Sequence, residues 1–227
     1  MNEFWDVIWV MLLAADLVLA GSSRLFHCIK VVALQGILLG ILAWISHGIA
    51  EDGFSWGVLL TSGVNVAVKG WLLPWLLIRA VRQAGIRREL EPFVGFSASL
   101  MIVLGIAALF LGICRISDWE IGTESFLALP VSLTTMVTGL LLIVARRKAI
   151  TQALGFLIFE NGITAFGIGM GIESGLVVEL GILLDVLVLV FVMGITLFHI
   201  NREFEHLDAD KLTDLGDRVE PEMEVQK

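Results

Sequence analysis

Along the chain, long apolar runs alternate with short charged segments. Seven runs, near residues 3–21, 27–47, 56–78, 93–114, 125–145, 149–171 and 176–199, are apolar enough to cross a bilayer. A helix needs about 20 such residues to span the hydrocarbon core. The pattern therefore predicts an all-α fold, a polytopic membrane bundle of seven transmembrane helices. The first run has the look of a secretion signal, with Leu19-Ala20-Gly21 at its end. However, residues 1–10 hold no Lys or Arg, carry Glu3 and Asp6, and are followed by Asp16 inside the apolar stretch. A signal peptide has the opposite charge pattern, so the run is expected to remain as a helix.

The loops carry an asymmetric charge. Arg24 and Lys30, then Arg79, Arg82, Arg87 and Arg88, then Arg146, Arg147 and Lys148 fall in alternate connections, on the same side as the tail bases. The other connections hold Arg115 alone among bases, with Glu51, Asp52, Asp118, Glu120, Glu124 and Glu173. By the positive-inside bias, the N-terminus lies outside and the C-terminus in the cytoplasm, in the cell inner membrane. Three sections follow: helices 1–4 in residues 1–122, helices 5–7 in 123–200, and an acidic cytoplasmic tail in 201–227. Gly36-xxx-Gly40 and Gly167-xxx-Gly171 are small-residue pairs of the kind that let membrane helices approach. Helices 1–3 and 5–7 also share a loose order of basic loop, acidic loop and central charge.

Composition agrees. The chain is 57% apolar and 17% charged, with a mean hydropathy of +0.90, against about 45–50% and about 25% in soluble domains. The net charge of −8 resides mostly in the tail, which holds nine acids against four bases. No basic cluster suits a nucleic acid. Cys28 and Cys114 stand alone, without the spacing of a zinc or iron–sulfur site, so neither metal, cofactor nor disulfide is expected.

Three charges fall where lipid should be: Lys69 in the third run, Glu160 in the sixth and Asp185 in the seventh. Each costs about 2.5–3.5 kcal/mol at a helix centre on insertion scales, and each lies on the order of 14–16 Å inside the apolar layer at 1.5 Å per residue. One reading makes them internal salt bridges that fix helix register. The other makes them a lateral proton path, because a buried group balanced between desolvation and an opposite charge can titrate near neutral pH. Asn65 lies one turn from Lys69 on the same face. Pro74 lacks an N–H and deprives the Gly70 carbonyl of its helical partner, which predicts a kinked, hydrated point at Lys69. Asp16, five residues from the end of helix 1, is placed within reach of interfacial water. Glu179 is a candidate stepping stone toward Asp185. Asn161, Gln35, Gln152 and Thr164 are candidate polar lining, and Arg146-Arg147-Lys148 reads as an interfacial anchor.

Gly155-Phe156-Leu157-Ile158-Phe159-Glu160-Asn161-Gly162 and Val178-Glu179-Leu180-Gly181-Ile182-Leu183-Leu184-Asp185 resemble component E of hydrogenase-4. That subunit belongs to membrane-bound group 4 nickel–iron hydrogenases and formate hydrogenlyases. The resemblance extends to Lys69 through Pro74, to Arg87-Arg88-Glu89-Leu90-Glu91-Pro92 and to Phe204 through Leu207. Helices 5–7 are also similar to the K subunit of complex I and the antiporter C subunits. Leu157 stands at the K subunit's first glutamate position, with Glu160 one turn along the same face, and Asp185 near its second. The resemblance implies a non-redox subunit without an active site of its own. Its partners would be antiporter-like subunits and the subunit that docks the hydrogenase arm, in a complex coupling electron transfer to proton or sodium translocation. The alternatives are a small independent ion transporter and a purely structural spacer. No nucleophile, base and oxyanion arrangement can be assembled into an independent enzyme.

Overall fold

The computed structural model describes residues 2–48, 63, 66–83, 94–116, 125–146, 149–171 and 194. Within them the protein is all-α. Helix α1 runs Asn2–Gly21 and α2 Leu25–Gly48. A π-helical turn at Val68–Leu72 leads into α3, Leu73–Gln83. Then follow α4 (Phe96–Ile116), α5 (Ala128–Ala145) and α6 (Ala149–Gly169). Among the described residues, four helices contain stretches long and apolar enough to cross a membrane: Phe4–Gly21, Leu25–Ser46, Phe96–Ile116 and Ala128–Ala145. The chain is thus a multi-pass membrane protein. Apart from Gly194, the seventh predicted span and the acidic tail lie outside the described residues.

The third helix extends further than its apolar run, which stops at Ile78, and continues to Gln83. Its last turns are amphipathic: Leu77, Ala80 and Val81 are buried while Arg79 and Arg82 point outward. The Arg79 guanidinium lies 5.6 Å from the Trp75 ring centroid, so the charge rests on an aromatic face instead of ending the helix. Helix α6 stops where Gly171 takes φ 61°. The Gly171 and Met170 N–H groups return to the Ile168 and Phe166 carbonyls, a left-handed cap that a side chain would strain.

Helices α5 and α6 form the tightest pair. They are antiparallel, and at the turn between them the half-buried Gln152 donates from Nε2 to the Arg146 carbonyl at 3.2 Å. Gly155, Gly162 and Gly169, seven residues apart, lie along one side of α6. A Cβ on Gly155 would sit 2.9 Å from the Gly139 carbonyl oxygen, and one on Gly162 2.6 Å from the Met136 nitrogen. On Gly169 it would fall 2.9 Å from the Ala128 Cβ. Two backbones in direct contact gain the dispersion that holds helices together where lipid removes the hydrophobic drive. The seven-residue repeat keeps that seam facing its partner. This is not the pair expected from the sequence: a Cβ on Gly171 would meet nothing within 4 Å, because that glycine is a cap. Gly36 does act as expected, pressed against the Lys69 backbone.

Helix α1 packs a stripe of Trp5, Ile8, Trp9, Leu12, Ala15 and Leu19 inward, the i, i+3, i+4 spacing of one helix face. Helix α4 is the least covered, burying only Ser99, Val103, Ala107 and Cys114. The interior separates into two apolar clusters. One gathers Trp5, Trp9, Leu12, Leu38, Leu42, Val131 and Ala165. The other gathers Leu19, Ile29, Val32, Leu77, Leu142, Leu154 and Ile158. Along α1, α2, α5 and α6, buried polar residues fall in sequence between the two.

Candidate intramembrane charge site

That polar layer contains Asp16 on α1, Gln35 on α2, Lys69 on the π turn, Thr135 on α5, and Glu160, Asn161 and Thr164 on α6, all buried. Its centre is an ion pair. Lys69 Nζ lies 2.7 Å from Glu160 Oε1, with the two side chains 4% and 1% exposed. The ammonium also donates to Thr164 Oγ1 at 3.0 Å, and the Thr164 hydroxyl donates to the Glu160 carbonyl at 3.1 Å. Thr164 thus accepts one hydrogen bond and donates one, as a hydroxyl can. Glu160 lies eleven residues along α6 from Ala149, about 16 Å at 1.5 Å per residue, the middle of that helix.

Lys69 stands on a widened turn. The Leu73 N–H reaches back five residues to the Val68 carbonyl, the longer ring of a π turn. Pro74, just beyond, has no N–H to continue the regular ladder. A π turn thus stands at the point where the sequence predicts a kinked, hydrated helix. Helix α2 seals the other side: a Cβ on Gly36 would fall 2.9 Å from the Lys69 Cβ, and one on Gly70 2.8 Å from Ile37 Cγ1. The two glycines let α2 approach the backbone that carries the ammonium.

Asp16 faces the interior of the bundle. It is fully buried and accepts from Gln35 Nε2 at 2.9 Å and from Thr135 Oγ1 at 2.7 Å. Thr135 is seven residues from one end of α5 and ten from the other, so the carboxyl sits at mid-helix depth. Its position in α1, close to the end at Gly21, suggests a shallower place. The long Gln35 side chain and the Thr135 hydroxyl instead hold it inside. Gln35 is next in sequence to Gly36, so the Asp16 and Lys69 groups flank neighbouring residues of α2. Gln35 Oε1 is a buried acceptor without a partner among the described residues.

Arg146 is likewise placed differently from an interfacial anchor. It is fully buried, donates to the Ala20 carbonyl at 3.3 Å and stacks over the Phe96 ring with its Cζ 4.5 Å from the centroid. It ties the ends of α1, α4 and α5 together. Burial lowers its pKa from the ordinary value, with the Cys28 thiol opposing that shift; arginine nevertheless keeps its proton in proteins. Its Nε and Nη1 are buried without partners among the described residues.

The structure joins Lys69, Glu160 and Thr164 directly and places Asp16 and Gln35 in the same layer. Asn161 is buried beside them, while Gln152 serves the α5–α6 turn. Asn65, Glu179 and Asp185 lie outside the described residues. Thr135 was not singled out by the sequence. Its neighbours Thr134 and Thr138 bond the carbonyls four residues back at 2.7 and 2.8 Å, the ordinary way a hydroxyl is hidden in an apolar helix. Nothing in the pattern distinguishes Thr135 from them.

No family model matches the chain, and no solved structure matches it. A curated relative, the uncharacterized protein Rv0085 of Mycobacterium tuberculosis, is 33% identical over 211 residues, covering 91% of this chain and 93% of that protein. The chain belongs to the family of that mycobacterial protein.

Proposed function

We propose that this protein is a non-redox membrane subunit of an energy-converting complex of the hydrogenase-4 and formate hydrogenlyase type, contributing buried charges to proton or sodium translocation. The observation that carries this reading is the polar layer between two apolar clusters, with Lys69 paired to Glu160 at its centre. Buried ionisable groups in membrane helices pair with one another and mark ion pathways. A stripe that crosses several helices at one depth is suited to lateral transfer. The π turn supports the same reading, since such turns concentrate at functional sites. The resemblance of the Glu160 and Asp185 segments to hydrogenase-4 component E supplies the complex.

In this reading seven helices place the N-terminus outside and the acidic tail in the cytoplasm of the inner membrane. Residues 123–200 form the part similar to the complex I K subunit. Lys69 and Glu160 form the central exchange point. When Glu160 takes a proton from a neighbouring donor on the path, its charge is neutralised, and the Lys69 ammonium, still bonded to Thr164, can pass its own proton to the next acceptor on the path. Asp16 lies in the same polar layer, and Asp185 and Glu179 are the further acids the sequence offers to the path. Antiporter-like subunits and the hydrogenase-arm subunit are the expected neighbours.

The test replaces Glu160 by Gln and Asp185 by Asn in the intact complex and measures the ion gradient formed per electron pair. A complex that assembles with the hydrogenase and antiporter-like chains and loses most of its gradient supports the proposal. Full gradient formation by an assembled variant identifies a structural spacer. Ion transport by the purified chain alone, without co-purifying subunits, identifies an independent transporter.

A further inference from the structure

The two buried acids of the polar layer differ in their partners. Glu160 has an ammonium at 2.7 Å. Asp16 has neutral ones, the Gln35 amide and the Thr135 hydroxyl. Among the described residues no cation stands within ion-pair distance of it. Helix α1 packs mainly against α2, α4 and α5 and meets α6 at Trp9 and Gly169, so the charges of these helices, Glu160 on α6 included, decide its surroundings. On α1 itself, Glu3 is near the start and Asp6, ten residues from Asp16, accepts from Ser125. On α2, His27 and Lys30 are exposed, His47 is at the far end, and the Cys28 thiol bonds the Ser22 carbonyl. On α4, Cys114 and the exposed Arg115 stand at one terminus. Helix α5 holds no titratable residue between Ala128 and Ala145, and Arg146 beyond it contacts Ala20 and Phe96.

The hydroxyl geometry gives a second argument. Thr135 Oγ1 lies 2.7 Å from Asp16 Oδ2 and 3.0 Å from the Val131 carbonyl oxygen. A hydroxyl has one proton to donate, and it cannot serve both acceptors. If Asp16 is ionised, the proton goes to the carboxylate and the Val131 contact is left without a hydrogen. If Asp16 carries a proton on Oδ2, that O–H donates to Thr135 Oγ1, and Thr135 donates to Val131. Every contact then has one hydrogen, and no heavy atom has to move. A buried carboxyl lacking a cation neutralises in preference to carrying charge, so burial and hydrogen-bond count agree.

We propose that Asp16, Thr135 and the Val131 carbonyl form a proton-binding site in which Asp16 is held protonated at rest, beside the ionised Lys69 and Glu160 pair. Gln35 fixes the other carboxyl oxygen through Nε2 and adjoins Gly36, which meets Lys69, so a neutral, proton-loaded acid and a charged pair share one polar layer. The site takes a proton and not a metal cation. Oxygens that ligate a hard cation stand about 2.3–2.6 Å from it, and two such ligands side by side are further apart than the 2.7 Å between Asp16 and Thr135. The inference deepens the proposed translocation role and rests on it for its use, although the protonation state can be read independently.

The experiment is infrared difference spectroscopy of the full chain in lipid vesicles at neutral pH, comparing the wild type with Asp16→Asn, Gln35→Leu and Glu160→Gln. The expected result is a carboxylic acid C=O band that shifts in heavy water and disappears in D16N. The band moves to higher wavenumber in Q35L, which removes the donor to the carbonyl oxygen, and persists in E160Q. Exchange of sodium for potassium leaves it unchanged. A wild type without a band that D16N removes overturns the proposal, as does a band that sodium abolishes. If D16N removes the band while E160Q forms a full gradient in the complex, the site stands and the translocation role falls.

Discussion

Replacing Lys69 by Met removes the cation paired with Glu160, and the geometry sets the size of the effect. Both side chains are almost wholly withdrawn from solvent, at 4% and 1% exposure, with their charged atoms 2.7 Å apart. Removing one member of such a pair leaves an uncompensated buried charge and costs about 3–5 kcal/mol. At about 1.36 kcal/mol per tenfold, the folded-to-unfolded ratio should fall by roughly two to four orders of magnitude. Glu160→Gln should cost less, because the amide oxygen can still accept from Lys69 and Thr164 Oγ1 remains an acceptor at 3.0 Å. The double variant K69M/E160Q carries no charge at this position and should recover most of the loss. Reversible unfolding in mixed micelles measures all four corners of the cycle. A coupling energy of about 2 kcal/mol or more is expected for groups in direct contact. Additivity within about 0.5 kcal/mol would show that the two charges act independently, and the central pair of the polar layer would be refuted.

The glycine seam gives a sharp contrast: Gly162→Ala drives a Cβ to 2.6 Å from the Met136 backbone nitrogen and should destabilise by about 1–3 kcal/mol. Gly105→Ala, with nothing within 4 Å, should leave the unfolding midpoint unchanged or raise it slightly, since the change restricts the unfolded chain. Gly36→Ala places a Cβ 2.9 Å from that of Lys69 and should weaken the Lys69 to Glu160 coupling measured by the same cycle. Thr164→Val removes an acceptor from the ammonium and should cost about 1.5–3 kcal/mol, the worth of a hydrogen bond to a charged group, read as an earlier unfolding midpoint. Arg146→Lys loses the planar stack on Phe96. A cycle with Phe96→Leu should return about 0.5–2 kcal/mol of coupling, whereas a zero value would mean that Arg146 is held by the Ala20 carbonyl alone.

Much of the fold follows from the apolar runs, because a membrane helix is obliged to satisfy its backbone internally and its length is set by the bilayer. α1, α2, α4 and α5 fall within a few residues of the runs that predict them. Charge misleads at the end of α3, since Arg79 and Arg82 lie on an outward face that continues the helix. Glycine positions mislead as well. With 23 glycines, four-residue spacings arise by chance. The contact that forms uses a spacing of seven, which becomes visible only when Gly139 is known to face Gly155.

The site is legible where electrostatics alone decides. A lysine and a glutamate at matching depth in lipid have few better partners than each other, and Lys69 pairs with Glu160. Asp16 is harder to place because distance along α1 does not measure depth in the bundle. What matters is the level of the side chains that reach it, Gln35 on α2 and Thr135 on α5. Neither has a sequence signature: a glutamine in an apolar helix can face lipid headgroups, protein or water, and a threonine can bond its own helix. Arg146 shows the same limit from the opposite side. Its neighbours in sequence are basic, which suggests a headgroup contact, yet a stacking ring at Phe96 and a terminal carbonyl at Ala20 converge on it from helices distant in sequence. The polar layer is therefore a property of the assembled bundle. Five separate helical segments each contribute one or a few tolerated polar groups, and their common level between two apolar clusters creates a continuous stratum that no single helix encodes.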